Sequence, residues 1–277
     1  MDNRSHVHDA LNRTIYPILR RVEFRGKRRL RPFAPLPQHG RQIVGIGRGL
    51  RVELDLTEPL QRDYYYGLFD HFELKLVRRI LSAGGDFVDV GSYIGVYSLT
   101  AAQATTGRVL AFEPHPGARE QLTRNLELNG SEVIVVAAAA GGQVGRATLH
   151  VAADGDPSWS TLEDDDRFGP SDVEVSVSVS TVDEEVARHG LSPALVKIDV
   201  EGRELDVAAG MESTLAATPT LLVEVSAKSA AALERRLSPL GYHGFRVERS
   251  RLIPGAGGAG GIYNALFVAS RHAALVS

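Results

Sequence analysis

The sequence predicts an α/β protein, an open and mostly parallel sheet with helices on both faces. Three observations carry that reading. From Phe87 onward, short apolar runs of strand length alternate with helix-length amphipathic segments. A glycine-bearing junction, Asp89-Val90-Gly91-Ser92-Tyr93-Ile94-Gly95, joins one such strand to the next helix. The run Leu195 to Val200 has the apolar character of a buried parallel strand, yet carries Lys197 and Asp199.

The elements follow in order. Ile43 to Leu56 reads as two strands parted by Gly47 and Gly49, a hairpin pattern. Leu68, Phe72, Leu76 and Ile80 repeat every four residues, and Gly84-Gly85 ends that helix. Phe87 to Val90 is a strand, Ile94 to Ala104 a helix and Arg108 to Phe112 a strand. Gly117 to Asn129 is a helix with Pro116 in its first turn. Val133 to Ala140 reads as one strand. Val173 to Val179 alternates valine with polar residues, the mark of an edge or half-exposed strand. Thr181 caps the next helix, with Glu184 three residues on as in a capping box. After the strand at Leu195 to Val200, Leu205, Ala208, Met211 and Leu215 form a helical stripe. Leu221 to Val225 is a strand and Ser229 to Leu240 a helix. Gly244 to Glu248 and Ala265 to Ala269 are the last strands. The glycine-rich stretch Pro254 to Gly261 between them is too flexible for a core, and reads as a connector or a flap over a cleft.

Composition narrows the class. The 277 residues are 43% hydrophobic, enough for a sizeable core. Cysteine is absent, which excludes disulfides, Fe–S clusters, thiolate zinc and a Cys nucleophile. No apolar run approaches the ~18 residues that span a bilayer. Met1 to Ala10 has no signal-peptide core. A cytoplasmic protein is the expectation. The net charge of −3 hides an asymmetry, because residues 1–31 hold nine Lys or Arg against three Asp or Glu. That basic arm lacks aromatic interleaving, and the body is acidic. Nucleic acid and membrane are therefore not expected partners; a solvated face or a homo-oligomer contact is. Two regions are expected: an N-terminal extension over 1–66, with the basic arm and the hairpin, and the α/β domain over 67–277.

Candidate chemistry concentrates in three places. The Gly-x-x-x-Gly turn after Asp89 brings a ligand close to backbone amides at a helix N-terminus, which favours an anionic group. It lacks the second glycine of the dinucleotide fingerprint, whose place Tyr93 takes, and no P-loop lysine follows. A purely structural turn is the plainer alternative. Glu113 lies 24 residues after Asp89, at the end of the second strand. There an acidic residue is set to accept from both ribose hydroxyls of an adenosine-bearing cofactor. Within Leu195-Val196-Lys197-Ile198-Asp199-Val200-Glu201-Gly202, alternation puts Leu195, Lys197 and Asp199 on one face. A buried lysine must be paired, and Asp199, Glu201 and Glu224 of the neighbouring strand are available. The alternative is a structural ion pair. His243 is a lesser candidate base. Trp159, in the polar stretch Ala153 to Pro170, is a candidate loop wall.

These segments resemble one known family. DVGSYIG at 89–95, AFEPHP at 111–116 and LVKIDVEG at 195–202 look like the FkbM family of S-adenosylmethionine-dependent methyltransferases. Asn125 and Asn129 in NLELNG, Thr181-Val182-Asp183, LLVEV at 221–225 and NALFV at 264–268 add to the likeness. The resemblance implies a class I methyltransferase sheet of seven strands, Rossmann-like, with the last strand antiparallel and inserted near the edge. It implies that Asp89, Gly91, Ser92, Tyr93 and Gly95 face the methionine part of S-adenosyl-L-methionine. Glu113 and Pro114 would then lie at the ribose, and Ala139 with nearby backbone at the adenine. Two departures stand out. Ser92-Tyr93 replaces the usual Asn or Thr, and Gly141-Gly142 replaces a Gly-Asp pair.

The expected reaction is O-methylation of a small-molecule hydroxyl, on a sugar or in natural product biosynthesis. Asp199 is the expected base, Glu201 and Glu224 its orienting groups, and Lys197 the countercharge. Asp199 and Glu224 holding Mg²⁺ is the variant of that scheme. The rivals are an oxidoreductase using a nucleotide cofactor on a similar sheet, and a non-enzymatic binding protein.

Overall fold

The computed structural model describes residues 40–68, 70–151, 173–248, 250–258, 260–270 and 272. The basic arm and the Trp159 segment lie outside the described residues. The chain divides into two compact units, Met1–His71 and Phe72–Ser277.

In the first unit, β1 (Arg41–Gly47) and β2 (Leu50–Asp55) pair antiparallel around the turn Gly47-Arg48-Gly49. Strand alternation buries Val44, Val52 and Leu54. Helix α1 (Pro59–Tyr66) follows, and the sequence reading did not anticipate it. Pro59 starts it, Gly67 closes it in the left-handed region, and its run of three tyrosines carries no readable stripe.

The second unit starts with α2 (His71–Leu81), whose Leu74, Val77, Ile80 and Leu81 are buried. Then come β3 (Asp86–Val90), α3 (Val96–Ala104), β4 (Val109–Phe112), α4 (Pro116–Asn129) and β5 (Ile134–Val136). After β6 (Ala138–Ala140), β7 (Gly145–Val151) and β8 (Val173–Ser180) come α5 (Val182–His189), β9 (Pro193–Ile198), α6 (Glu204–Ala209) and α7 (Glu212–Ala216). The chain continues through β10 (Thr220–Ser226), α8 (Ala227–Leu237), β11 (Tyr242–Glu248), β12 (Arg251–Pro254) and β13 (Ile262–Ala269).

The main sheet has the order β12-β11-β13-β10-β9-β3-β4-β5. Strands β3, β4, β5, β9 and β10 run parallel, and β13 lies antiparallel between β10 and β11. This is the expected class I arrangement, with β12 added as an eighth strand at the edge. The sheet winds outward in both directions from β3 and β9. Ligand crevices in such sheets open at the carboxyl ends of the strands flanking that switch point. One face buries Val88, Phe112, Val196, Ile198 and Val223 in a single cluster with Val182, Met211, Leu215 and Leu233 of the helices. Thr181 accepts from the Glu184 amide and caps α5, while the Glu184 carboxylate turns to Arg188 instead of completing a capping box.

Three readings change and one, that of β8, is narrowed. The expected strand Val133 to Ala140 is two strands: β5 ends the main sheet, and after Ala137 β6 joins β8 and β7 in a separate three-stranded sheet. Period-two alternation cannot reveal a change of partner. β8 is the middle strand of that small sheet and still half-exposed, so its valine–polar alternation reports a solvated face and not an edge. The stripe Leu205 to Leu215 is two short helices broken at Gly210, with Leu205 on the outside. The glycine-rich segment after β12 is anchored, not loose. Ala256 is fully buried, the Gly255 amide donates to the Gly244 carbonyl, and Arg246 holds the Gly257 carbonyl.

Candidate active site

Sheet register puts four charged residues of the second unit on one face. Asp89 of β3 lies beside Lys197 of β9, and Lys197 beside Leu222 of β10. Two residues further along, past the end of β9, come Asp199 and Glu224. Helix α3 covers this face: the Ser98 hydroxyl donates to Asp89 (2.6 Å), and the Tyr97 ring lies 4.6 Å from the Lys197 ammonium.

The ammonium bonds Asp199 at 3.0 Å and stands 4.0 Å from Asp89. Burial disfavours its charge, but Asp199 and Asp89 outweigh that and hold it protonated. Asp89 is fully buried, and burial pushes its carboxyl up despite the lysine. One of its oxygens has no hydrogen-bond partner. At the strand tips, carboxylate oxygens of Asp199, Glu201 and Glu224 lie within 4.8 Å of one another, a spacing that could hold a cation. Burial, then the charges of Asp199 and Glu201, push Glu224 up to about 9, so it carries a proton at neutral pH. Glu201 reaches the cluster from a left-handed backbone, φ 49°, a conformation that costs a non-glycine residue about 1 kcal/mol or more.

The glycine turn is held from both sides. The Gly91 and Ser92 amides donate to the Phe112 carbonyl, and Asn125 reaches the Ile94 carbonyl. The Glu113 carboxylate clamps the turn: one oxygen accepts from the Tyr93 amide (2.7 Å), the other from the His115 amide (2.8 Å). Burial raises its carboxyl to about 7 against the pull of those amides. Each oxygen keeps a lone pair for a further donor. Tyr93 takes φ 50° within this clamp.

The two glycines have packing reasons that the sequence reading did not foresee. A Cβ at Gly91 would run into the Asp199 carbonyl oxygen, and one at Gly95 into Leu122. The first contact, with the bond from the Asp199 amide to the Val90 carbonyl, ties the glycine turn to the tip of β9. Similarly, Gly141 and Gly142 pack on Asp206, where a Cβ would crowd its carboxylate.

The structure thus gathers Asp89, Lys197, Asp199, Glu201 and Glu224, and sets Gly91, Ser92, Tyr93, Gly95 and Glu113 at the neighbouring tips. Pro114 lies beside Glu113, its carbonyl bonded to Arg119. Ala139 is buried in β6 with Leu149 and Val177 behind it, so only its backbone could meet a ligand. His243 is not in the cluster. It stands exposed at the start of β11, the opposite end of the sheet from the strand tips, and bonds Ser270 at 3.0 Å. Tyr97 and Ser98 were missed, because both look like ordinary residues of an apolar helix.

Comparison with known proteins matches residues 89–247 to the Methyltransferase FkbM domain, a span that holds every residue of the cluster and the turn. The chain belongs to the FkbM methyltransferase family. A curated relative is the hexuronic acid methyltransferase AglP of Haloferax volcanii, 31% identical over 145 residues. That match covers 50% of this chain and 55% of the relative, so the chain spans little more than half the relative's length. Among solved structures, a SAM-dependent methyltransferase from Agrobacterium tumefaciens is 11% identical with a TM-score of 0.46, covering 84% of this chain and 70% of that one. An rRNA methylase from Streptococcus thermophilus is 10% identical with a TM-score of 0.43, covering 72% and 95%. Among the described residues of this FkbM-family chain, no helix is long and apolar enough to cross a membrane.

Proposed function

We propose that this protein transfers the methyl group of S-adenosylmethionine to a hydroxyl of a small molecule, a sugar or a sugar-bearing natural product. One observation carries the reading: the glycine turn, clamped by Glu113, abuts the tip of β9, so the backbone amides expected to meet the cofactor and the carboxylate expected to act as base stand side by side at the carboxyl edge of the sheet. Family membership supports the reaction class. The relative named for hexuronic acids supports a carbohydrate acceptor.

The residues fit the cofactor. Helix α3 has Gly95 as its N-cap, which has no side chain to place over the helix end, and that end suits the methionine carboxylate. Ser92 and Tyr93 line that end. Glu113 is set for the ribose, with Pro114 beside it, and the backbone at Ala139 for the adenine. When bound, the cofactor supplies an electrophilic methyl group. Asp199 takes the proton of the acceptor hydroxyl as the oxygen gains the methyl. Lys197 holds Asp199 in place and offsets negative charge growing on that oxygen. Glu224, protonated, hydrogen-bonds Asp199 and fixes its orientation. Glu201 binds a second hydroxyl of the acceptor.

The test is calorimetry with S-adenosylmethionine, S-adenosylhomocysteine and NAD, followed by a search for methylated product among hexoses, hexuronic acids and polyhydroxylated natural products. The sulfur cofactors are expected to bind and NAD not to. NAD binding alone would make the protein an oxidoreductase, and no binding at all a non-enzymatic one. The close approach of Asp199, Glu201 and Glu224 favours a second version, in which they hold Mg²⁺ and the ion stabilises the alkoxide. Turnover that survives EDTA overturns that version.

A further inference from the structure

One residue of β13 is at odds with its strand. In Ile262-Tyr263-Asn264-Ala265-Leu266-Phe267-Val268-Ala269 every residue but Asn264 is apolar or aromatic. Asparagine is disfavoured in strands, because its side chain competes for backbone partners. A residue that breaks the local rule inside an otherwise consistent element marks strain or function.

Register says where Asn264 stands. It pairs with Glu224 of β10, so the two side chains share a face with Cβ atoms about 5 Å apart. Lys197 is on that face too, paired with Leu222 two residues before Glu224. The Glu224 carboxylate leans to the β9 side, within 4.8 Å of Asp199 and Glu201, and leaves the Asn264 flank open. Asn264 is half-buried, and among the described residues its carboxamide has no hydrogen-bond partner. Its polar atoms still reach solvent. Two residues earlier on the same face, Ile262 is 65% exposed at the rim, opposite Ser226. An exposed isoleucine alone is ordinary. Beside an open carboxamide it completes a surface with one polar and one apolar contact.

β13 lies two strands from β9, so the backbone at Asn264 and at the tip of β9 is about 10 Å apart. One sugar-sized ring with a hydrogen bond at each end covers that span. A carboxamide suits a ring hydroxyl because it both donates and accepts, as the hydroxyl does. It also adds no charge where carboxylates already crowd. We propose that Asn264 and Ile262 form an acceptor subsite beside the acid cluster: the Asn264 carboxamide reads a further hydroxyl of a ring-shaped polyol, and Ile262 packs on the C–H face of that ring. The subsite deepens the transferase reading and rests on it. Asn264 is then a specificity residue, and its distance from Asp199 selects which hydroxyl is presented to the base.

The experiment uses the full chain as Asn264→Ala, Asn264→Val and Ile262→Ser. Valine favours strands and guards against a folding defect at that position. Calorimetry with S-adenosylhomocysteine comes first. The probes are then methyl glucopyranoside, glucuronic acid and inositol, each titrated into the chain saturated with S-adenosylhomocysteine and each offered with labelled S-adenosylmethionine. The wild type is expected to take at least one of them. For that probe, both Asn264 variants weaken binding and raise KM by about tenfold, while affinity for S-adenosylhomocysteine stays within about twofold. Ile262→Ser raises the same KM by about threefold. Deoxy analogues of the probe give the readout that a structural role would not move. One of them loses as much binding to the wild type as Asn264→Ala costs, and loses nothing more in that variant. Variants that bind every probe as the wild type does overturn the subsite. So does a fall in Tm that carries cofactor and probe affinity down together. A wild type that binds S-adenosylhomocysteine but none of the rings overturns it as well, with the transferase reading intact. A wild type that binds no S-adenosylhomocysteine defeats that reading, and the subsite with it.

Discussion

The carboxyl edge of the main sheet has two halves built by different means. At the tips of β3 and β4 the site is backbone: amides, carbonyls and one carboxylate, Glu113, that clamps two of those amides, while Asp89, deeper in β3, faces Lys197 and belongs with the charges. Around β9 and β10 it is charge: one ammonium among carboxylates that outnumber it. A backbone site keeps its shape because the fold fixes it. A charged site keeps its shape only while its protons and partners stay in place. Substitutions on the first half should therefore damage folding or cofactor affinity. Those on the second should damage turnover and leave affinity alone.

The sharpest way to break that contrast is Gly91→Ala. The new methyl meets the Asp199 carbonyl, and the residue sits at φ 77°. Backbone cannot yield as a flexible side chain can, so a loss of about 4 kcal/mol or more is expected. Chemical denaturation checks it. A variant as stable as the wild type would mean that the two halves are not in contact.

Asp199→Asn tests the other half. Turnover is expected to fall by at least ~100-fold, the usual worth of a positioned base. Affinity for S-adenosylmethionine stays within about twofold in calorimetry. Loss of affinity instead would move Asp199 into the cofactor half.

The third test is pH, and it concerns the one acid on the backbone side. Glu113 is raised from 4.5 to about 7 in the folded chain. The folded state thus binds this proton more tightly than the unfolded one. The group's contribution to stability is complete below pH 4.5 and is lost as pH rises through 7, about 3 kcal/mol in all. Cofactor affinity runs the other way, because the ribose hydroxyls donate to the ionised form. It should rise about tenfold between pH 6 and 8 and level off above. Calorimetry at pH 6.5 in buffers of different ionisation enthalpy should show proton release on binding. Glu113→Gln should remove both the release and the pH slope. An unchanged slope in that variant would give the proton to another group.

Much of this was legible in the sequence, and the limits have physical causes. The order of strands and helices, the glycine turn and the acids after β9 all announce themselves through composition and spacing, because one side chain per position is enough to signal them. The union of Asp89 with Lys197 was not legible, since it is a register across strands more than a hundred residues apart. Period-two alternation placed Lys197 and Asp199 on one face but could not say which neighbours share it. The split of Val133 to Ala140 between two sheets hides for the same reason. His243 looked near the cleft because it follows a helix. A strand's amino end and carboxyl end read alike in sequence, and it stands at the wrong one. The glycines at 91 and 95 were visible, but the reason for them, a carbonyl and a leucine, lies 108 and 27 residues away.

The smallest expected effect sharpens the contrast most, because it concerns a contact that passes from the helix of the first half to the lysine of the second. Tyr97 of α3 presents its ring to the Lys197 ammonium at 4.6 Å, within reach of a cation–π attraction. The ring is 4% exposed, and the Lys197 side chain 5%. With little water to compete, the pair is worth about 1 kcal/mol beyond packing. Comparing Tyr97→Leu alone would mix that with lost ring volume. A double-mutant cycle of Tyr97→Leu with Lys197→Met separates them, because the packing loss appears in both arms and cancels. Denaturant midpoints should give a coupling of about 1 kcal/mol. A coupling below ~0.3 kcal/mol, the usual additivity error, would mean that α3 merely covers the lysine. The charged half would then hold itself together without help from the backbone half.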